Sequence, residues 1–209
     1  PPDDLLTALV GAEWTDEHGH VDRLDEAEVC NTLEFLLVAA NSTTTDAIGN
    51  LFWALETHPD QKALLLRDPE GLIASAVEEI LRYDGPIHAL QRTVTTDTEV
   101  GGVRLPAGAT LVNVYAGAGR DPAVYEDPDE FRVDRDWSSL PHHFGFGWGT
   151  HFCLGAHLAR EEIAIAIRTL YERVEGLRVP DGFEPKQVDA PFLRGWRELP
   201  VELDRIVPT

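Results

Sequence analysis

Apolar residues recur at helical spacing along one long segment of the chain, beginning near Asp25. Asp25 is a good helix cap, and Glu28 stands three residues later at the reciprocal position of a capping box. The pattern continues until Pro59, which cannot extend a helix. About 33 residues at 1.5 Å each make a rod of roughly 50 Å. The apolar positions are Leu33, Leu36, Leu37, Ala40, Ala47, Leu51 and Leu55.

Shorter apolar patterns predict the remaining elements. Helical periodicity predicts helices at residues 3–13, 60–67, 70–83 and 153–173. Short apolar runs separated by glycines predict strands at residues 93–95, 100–103 and 111–114, with a last strand at 199–203. Polar stretches at residues 15–21 and 120–150 predict loops. The expected fold class is mainly α with a small β-sheet.

Composition excludes several classes of partner. The chain has 209 residues, is 43% hydrophobic and carries a net charge of −20, which argues against nucleic acid. No apolar run approaches the ~18 residues that cross a bilayer, so no membrane partner is expected. The two cysteines form no CxxC pair, and a reducing cytoplasm is expected. The start at Pro1 and the lack of Met indicate a processed product or a segment of something longer.

Residues 146–155 have the composition of a rigid loop that ends in a reactive sulfur. Glycines at positions 145, 147 and 149 allow positive φ angles and a close backbone approach to a flat or bulky group. Cys153 follows them and stands immediately before the predicted helix, where unpaired N–H groups and the helix dipole favour a thiolate. Such a thiolate is a metal ligand or a nucleophile.

Other interpretations of Cys153 stay open at this point. The simplest is a buried free cysteine beside a glycine-rich turn. A nucleophile requires a base, and His151 is the only near candidate. Zinc requires three or four ligands, and no further Cys or His stands at a suitable spacing. Cys30, in the long helix, is interpreted as a small core residue.

Residues 146–155 resemble, position for position, the haem-binding loop of the cytochromes P-450. The resemblance implies that residues 1–209 are the C-terminal, haem-binding part of one P-450 domain, with the N-terminal half absent and haem b as the cofactor. It implies that Cys153 is the axial thiolate, a ligand that favours O–O cleavage. His151 resembles a residue that hydrogen-bonds a haem propionate. Phe146 resembles the aromatic packed at the sulfur side of the haem, and Gly147 and Ala40 are counted with the cofactor-binding residues.

Three arginines acquire roles through the same resemblance. Glu79 and Arg82 lie three residues apart on a predicted helix and, taken alone, are an exposed ion pair worth about 0.3 kcal/mol. The family has an ExxR pair here that locks to a later arginine, matched by Arg135, as a folding device. Arg92, at the start of the first strand, matches an arginine that binds a propionate, and a guanidinium suits a carboxylate geometrically.

The middle of the long helix is polar, although such residues are poor helix formers. Thr43 can bond back to the Ala39 carbonyl and open the helix locally. The resemblance implies that this is the oxygen-activation segment, in which Thr43 matches the alcohol, Ala40 replaces the usual glycine and Ser42 replaces the usual acid. Serine relays a proton but supplies no carboxylate. Protons would pass through Ser42 and water or through substrate groups, and Asp46, one turn away, is a weaker candidate.

The resemblance also implies substrate contacts and a reaction. The expected contacts lie on the long helix, on one wall and on a turn at the far side; they are Leu36, Leu37, Asn41, Ile87, His88 and Phe192. His88 is equally well interpreted as an ordinary loop histidine. The expected activity is hydroxylation of a small apolar substrate with O₂ and two electrons from a ferredoxin-like or flavin redox partner. The alternatives are a peroxide-driven oxygenase and a haem-binding fragment without turnover.

Overall fold

The computed structural model describes residues 3–208, and the chain divides into two compact units, residues 1–42 and 43–209. The first unit contains helix α1 (Leu5–Gly11) and a hairpin of strands β1 (Glu13–Thr15) and β2 (Val21–Arg23). The helix predicted at residues 3–13 is confirmed but shorter. The hairpin strands were missed because three-residue, exposed strands carry no alternating apolar pattern.

Helix α2 (Glu26–Thr57) begins in the first unit and continues into the second. The predicted capping box is confirmed: the Glu28 N–H donates to Asp25 Oδ1 at 2.8 Å, and the Asp25 N–H donates to Glu28 Oε2 at 2.9 Å. The interpretation of Cys30 as a core residue is wrong, because Cys30 is exposed. The buried position in that turn is Val29, and Cys30 lies about 100° further round the helix.

The second unit contains the remaining helices and three antiparallel strand pairs, β3–β6, β4–β5 and β7–β8. The helices are α3 (Pro59–Arg67), α4 (Pro69–Tyr83), α5 (Tyr115–Ala118) and α6 (Ala156–Arg173). The strands are β3 (Ala89–Thr93), β4 (Thr98–Val100), β5 (Val103–Leu105), β6 (Thr110–Val114), β7 (Val174–Glu175) and β8 (Arg205–Ile206). A search of the described residues for a helix able to cross a membrane found none.

Four sequence predictions about this unit are wrong in detail. The strand expected at residues 93–95 is β3, which ends at Thr93, so Arg92 lies near its end and not at its start. The strand expected at residues 100–103 is the turn of the hairpin formed by β4 and β5. The strand expected at residues 199–203 is reduced to a single bridge between Glu202 and Arg178, and regular pairing begins only at Arg205. The helix expected from Cys153 begins at Ala156, because the Cys153 carbonyl accepts from the Ala156 N–H at 3.3 Å in a separate turn. Helix periodicity in the sequence does not distinguish that turn from the first turn of α6.

The core of the second unit is built from the later part of α2 and from α3, α4 and α6. Side chains on one stripe of each helix are buried together with the apolar residues of the loop after α5. The most deeply buried are Leu51, Leu55, Val77, Ile80, Val133, Ile163 and Ile167. Burial of this apolar surface fixes α4, and α4 carries the two carboxylates that position the long loop before α6.

Glu79 on α4 is fully buried and binds two arginines that are distant from each other in the chain. Its carboxylate accepts from Arg82 at 2.7 and 2.8 Å and from Arg135 at 3.0 Å. Both guanidinium groups also donate to backbone carbonyls of the loop after α5. These acceptors are Gly119, Pro128 and Glu130 for Arg82, and Glu126 for Arg135. The triad therefore fixes a loop that has no regular secondary structure of its own.

Glu78, the preceding residue, binds the segment just before the cysteine loop. His143 is buried, its Nδ1 accepts from the Gly145 N–H at 3.0 Å, and its Nε2 lies 2.9 Å from the Glu78 carboxylate. Because Nδ1 accepts, Nε2 carries the proton and donates to Glu78. Arg160 on α6 also donates to Glu78, at 3.0 Å. Burial would raise the pKa of Glu78, but the bonds from His143 and Arg160 outweigh it and lower the pKa from 4.5 to about 2.

Removing the charge of Glu79 is expected to destabilise the fold strongly. Glu79→Gln leaves Arg82 and Arg135 buried without a counter-charge, which costs about 3–5 kcal/mol of unfolding free energy. The matched control is Glu70→Gln on the same helix, whose ion pair with Arg168 at 3.0 Å is exposed and worth less than about 1 kcal/mol. Urea unfolding of the purified variants measures both, and equal losses would show that the triad is not needed for folding.

The lowered pKa of Glu78 predicts an acid-sensitive anchor. Its contribution is fully present above the unfolded-state pKa near 4.5 and is lost as pH falls through about 2. The loss amounts to at most about 3 kcal/mol across that window. Unfolding free energies measured between these pH values should fall less steeply in Glu78→Gln than in the unaltered protein. Parallel curves would contradict the assigned network.

Candidate functional site

Cys153 ends a loop that is folded on itself by its own backbone hydrogen bonds. The loop contains two one-turn 3-10 helices, Phe144–Phe146 and Gly149–His151. The Cys153 N–H donates to the Phe146 carbonyl at 3.0 Å, and the Gly147 N–H donates to the Phe144 carbonyl at 2.8 Å. These bonds fix the backbone on both sides of the sulfur, so the position of the thiol is set by the loop.

Both predicted roles of the loop glycines, positive φ angles and close packing of the backbone, are confirmed, but at different glycines. Gly147 and Gly149 have φ angles of 73° and 76°, a region that favours glycine. Gly145 has no positive φ, but a Cβ at this position would lie 2.8 Å from the Leu81 carbonyl oxygen and 3.0 Å from His143 Nδ1. The loop therefore packs against the end of α4 only because residue 145 has no side chain.

Phe146 is the aromatic anchor of the loop. Its ring packs against the hydrophobic core, and the Arg160 guanidinium lies 4.6 Å from the ring centroid. The rings of His143 and Phe152 lie 6.0 and 6.3 Å away. Since His143 and Arg160 both bind Glu78, the ring of Phe146 rests on a network attached to α4 and α6.

The Cys153 thiol is exposed and has no hydrogen-bond partner among the described residues. The interpretation as a buried free cysteine is therefore wrong. The expected position immediately before the helix is also corrected, since the N-cap of α6 is Gly155 and the helix begins at Ala156. In the part of the chain that the structure describes, no hydrogen bond joins Cys153 to His151, so the arrangement is not that of a base-activated nucleophile.

Among the described residues, Cys153 is a single sulfur ligand without neighbouring protein ligands for a metal ion. Within residues 3–208, no three His, Cys, Asp or Glu side chains are grouped so that they could hold a metal ion. A zinc site is therefore not formed there. A metal held by Cys153 would have to bring its other ligands with it, as the iron of a porphyrin does. The single thiolate fits that group.

Large apolar side chains of the cysteine loop and of the first turn of α6 are exposed. They are Phe144, Trp148, Phe152, Leu154 and Leu158, and Leu154 is 89% exposed. A cluster of this kind marks a binding surface. The two other predicted haem contacts are exposed as well. His151 lies in the second 3-10 turn. Arg92 on β3 donates to the Gln91 carbonyl and forms no ion pair with a described carboxylate.

The predicted oxygen-activation segment lies at the boundary between the two units. Ala40, Asn41 and Ser42 are exposed residues of the first unit, and Thr43 is the half-buried first residue of the second. Regular α-helix continues through all of them, so the local opening expected at Thr43 is not present. Asp46 is half-buried, and burial raises the pKa of its carboxyl group.

The structure brings together two of the predicted substrate walls. Ile87 forms a bridge with Leu193, and the His88 N–H donates to the Phe192 carbonyl at 2.9 Å. The His88 ring lies 3.3 Å from Asp84, too poorly aligned for a hydrogen bond. A narrow cavity separates this wall from the cysteine loop; it is lined in part by Ile87, His88, Tyr115, Phe144 and Gly145. On α2, in the first unit, Leu36 is half-buried, and Leu37 is exposed like Asn41.

Sequence reasoning missed Glu78 and His143 as parts of the site. They are 65 residues apart, so no spacing relates them. The available signal was the polar pair Glu78-Glu79 on the buried face of an amphipathic helix, because two adjacent carboxylates there require cationic or N–H partners. Such a signal shows that partners exist but does not identify them.

Comparison with known proteins identifies the family. The family model described as Cytochrome P450 matches residues 71–195. "Putative cytochrome P450 140" of Mycobacterium tuberculosis is 38% identical over 203 residues, covering 97% of this chain and 45% of that protein. "Cytochrome P450 monooxygenase PikC" of Streptomyces venezuelae is 40% identical over 207 residues, covering 97% and 47%.

Solved structures agree with the sequence relatives. The crystal structure of CYP109E1 from Bacillus megaterium in complex with testosterone has a TM-score of 0.87 and 36% identity, covering 96% of this chain and 53% of that one. The expected fold, mainly helical with small sheets, is thus confirmed. The chain spans about half the length of the curated relatives it matches. It belongs to the cytochrome P450 family.

Proposed function

We propose that this chain is the C-terminal, haem-binding part of a haem-thiolate monooxygenase domain, in which Cys153 is the axial ligand of the iron. The observation that carries the proposal is the exposed sulfur of Cys153, which lies at the end of a hydrogen-bonded loop and has no companion ligand among the described residues. A rigid loop with one thiolate suits a cofactor that supplies its own four nitrogen ligands. The relatives' names, among them "6-deoxyerythronolide B hydroxylase" of Saccharopolyspora erythraea, support an oxygenase.

The proposed cofactor is haem b, and the chain has suitable residues around the sulfur. Arg92, free of described carboxylates, and the exposed His151 would bind propionates. Phe146 would pack at the sulfur side, and Gly147 would leave space for the ring above the backbone. When bound, the haem supplies activation of O₂, and the thiolate favours cleavage of its O–O bond.

The proposed reaction inserts one oxygen atom into a C–H bond of a small apolar substrate. The balance is RH + O₂ + 2e⁻ + 2H⁺ → ROH + H₂O, with both electrons from a ferredoxin-like or flavin partner protein. Thr43 would pass protons toward the side of the site that binds O₂, with Ser42 and Ala40 in the same segment. The residues proposed to contact substrate are Leu36, Leu37, Asn41, Ile87, His88 and Phe192.

An apolar substrate is supported by the chemistry of the lining and by the neighbours. Most of the proposed contacts are aliphatic or aromatic side chains. CYP109E1 was crystallised with testosterone and with corticosterone, and a relative from Pseudonocardia autotrophica is named "Vitamin D(3) 25-hydroxylase". The net charge of −20 argues against nucleic acid as a partner, and the proposed location is the cytoplasm.

A peroxide-driven oxygenase is the second candidate, and Ser42 is the observation that favours it. A serine at the position of the acid supplies no carboxylate for proton delivery, whereas hydrogen peroxide brings both oxygen and protons. Oxygen consumption with an electron donor, compared with product formation from peroxide alone, distinguishes the two reactions. A haem-binding protein without turnover would support neither.

The ligand assignment predicts a difference between the two cysteines. The reduced full-length protein, exposed to CO, is expected to show the strongly red-shifted Soret band of thiolate-ligated haem. Cys153→Ala should abolish that band, because it removes the sulfur proposed to bind the iron. Cys30→Ala, a matched loss of an exposed thiol, should keep it. A red-shifted band in Cys153→Ala, or a full-length protein that takes up no haem, would contradict the proposal.

A further inference from the structure

A polar stripe lies on α2 within the second unit. Thr43, Asp46 and Asn50 are spaced three and four residues apart, which places them along one face of the helix. Asp46 is half-buried and Asn50 is 1% exposed. Between them, Ala47 is part of the hydrophobic core. Polar groups that turn toward a core require hydrogen-bond partners, so this stripe calls for an explanation.

The segment around Gly195 packs against this stripe and satisfies it only in part. Asn50 Nδ2 donates to the Asp84 carbonyl at 2.8 Å and to the Arg194 carbonyl at 3.1 Å. Asn50 Oδ1 is buried and has no hydrogen-bond partner in the described part of the chain, and the same is true of Trp196 Nε1. A Cβ at Gly49 would lie 3.7 Å from the Trp196 ring, so the indole packs on the same stretch of helix. One acceptor and one donor are thus unpaired at a single interface, which suits bound water.

Asp46 lies against the same segment. Its carboxylate contacts Gly195 so closely that any side chain at residue 195 would collide with it. No ion pair or hydrogen bond to Asp46 is formed within residues 3–208. The ionisable side chains on the adjoining segments face Asp84: Arg194 donates to the Asp84 carboxylate at 2.9 and 3.0 Å, and the His88 ring lies 3.3 Å from Asp84. The Asp46 carboxylate is therefore held beside an apolar core without a cation.

We propose that Asp46 is the proton-donating acid of this site. It delivers protons to the Thr43 hydroxyl, one turn before it on the helix, and it is reprotonated through water held by Asn50 Oδ1 and Trp196 Nε1, one turn after it. It would take the place of the carboxylate that Ser42 lacks. The inference rests on the proposed monooxygenase function. Each turnover consumes two protons; Asp46 releases one at a time, Thr43 passes it on, and Asp46 regains a proton from solvent through the same water. Asp46 gains and loses no electrons in this transfer.

The environment of Asp46 sets the expected pH dependence. Burial raises its pKa, so the carboxyl group keeps its proton to a higher pH than an exposed aspartate does. The protonated donor is present below that pKa and is lost as pH rises through it. The yield of product for each O₂ consumed should therefore fall on the alkaline side, and this dependence should require Asp46.

The activity test uses the haem-loaded, full-length protein with an electron donor and a small apolar substrate that it oxidises. Asp46→Asn keeps the shape of the side chain and removes the acid, and Glu34→Gln removes an exposed carboxylate from the same helix as the control. Asp46→Asn is expected to form at least about tenfold less product per O₂ consumed, while Glu34→Gln stays unchanged. Peroxide-driven oxidation (RH + H₂O₂ → ROH + H₂O) should survive in both, because peroxide brings its own protons.

A second measurement does not depend on turnover. As pH is raised, one infrared C=O band of a protonated carboxyl group should persist to higher pH than the bands of exposed aspartates, because burial raises the pKa of Asp46. That band should be absent in Asp46→Asn and kept in Glu34→Gln. Trp196→Phe removes the indole N–H and should shift that band. If Asp46→Asn takes up no haem, its activity cannot be measured, and the band shift in Trp196→Phe becomes the deciding test. A band that does not shift in Trp196→Phe would overturn the proposal.

A restoring variant completes the test. Ser42→Asp combined with Asp46→Asn returns a carboxylate to the usual position and should recover most of the product yield. Full yield in Asp46→Asn alone, with the red-shifted CO band intact, would overturn the inference and leave the monooxygenase proposal standing. If the unaltered protein oxidises no substrate with either oxidant, the proposed function itself fails, whatever the infrared band shows.

Discussion

A carboxylate buried between two guanidinium groups is the constraint on which the architecture of the second unit depends. Glu79 has no contact with solvent, and both Arg82 and Arg135 extend from it to backbone carbonyls of an irregular loop. The loop cannot stabilise itself by helix or strand pairing, so its carbonyls need donors from elsewhere. Charge in the interior is costly unless every group is bonded, and the cost makes alternative loop conformations unfavourable. The triad therefore selects one course for the chain between α5 and the cysteine loop.

The neighbouring carboxylate extends the same constraint to the sulfur. Glu78 binds His143 and Arg160, and these two flank the ring of Phe146, whose carbonyl accepts from the Cys153 N–H. The thiol itself stays exposed and has no bonding partner within residues 3–208. A metal-binding thiolate needs a fixed backbone and a sulfur that is accessible to the metal. The hydrogen-bonded backbone atoms of the loop meet the first requirement, and the exposed side chain meets the second. The backbone is fixed from α4 and α6, while the side chain makes no bond that a metal would have to break.

The sequence predicted the long helices well because each buries a stripe at helical spacing and is bounded by a capping residue or proline, as Asp25 and Pro59 show for α2. The prediction was wrong at residues 153–155, where a turn precedes α6. The spacing of apolar residues is the same in that turn and in the first turn of α6, so the sequence does not separate them. The roles of Cys153, of the loop glycines and of the triad of Glu79 with its two arginines were predicted through resemblance to a known family. Glu78 and His143 were not, because a contact over 65 residues is decided by packing and leaves no local pattern.

The polar middle of α2 is where local rules and tertiary structure disagree. Asn, Ser, Thr and Asp weaken a helix interior, and Asn50 with Asp46 turns toward a core that offers them too few partners. Proteins tolerate such conflicts mainly where they serve a function. In the proposed relay Ser42 supplies no carboxylate, and Asp46, which has no bonding partner among the described residues, lies one turn further along the same helix. A single helix can thus exchange the position of its acid while keeping Thr43 in place, because residues three and four apart share a face.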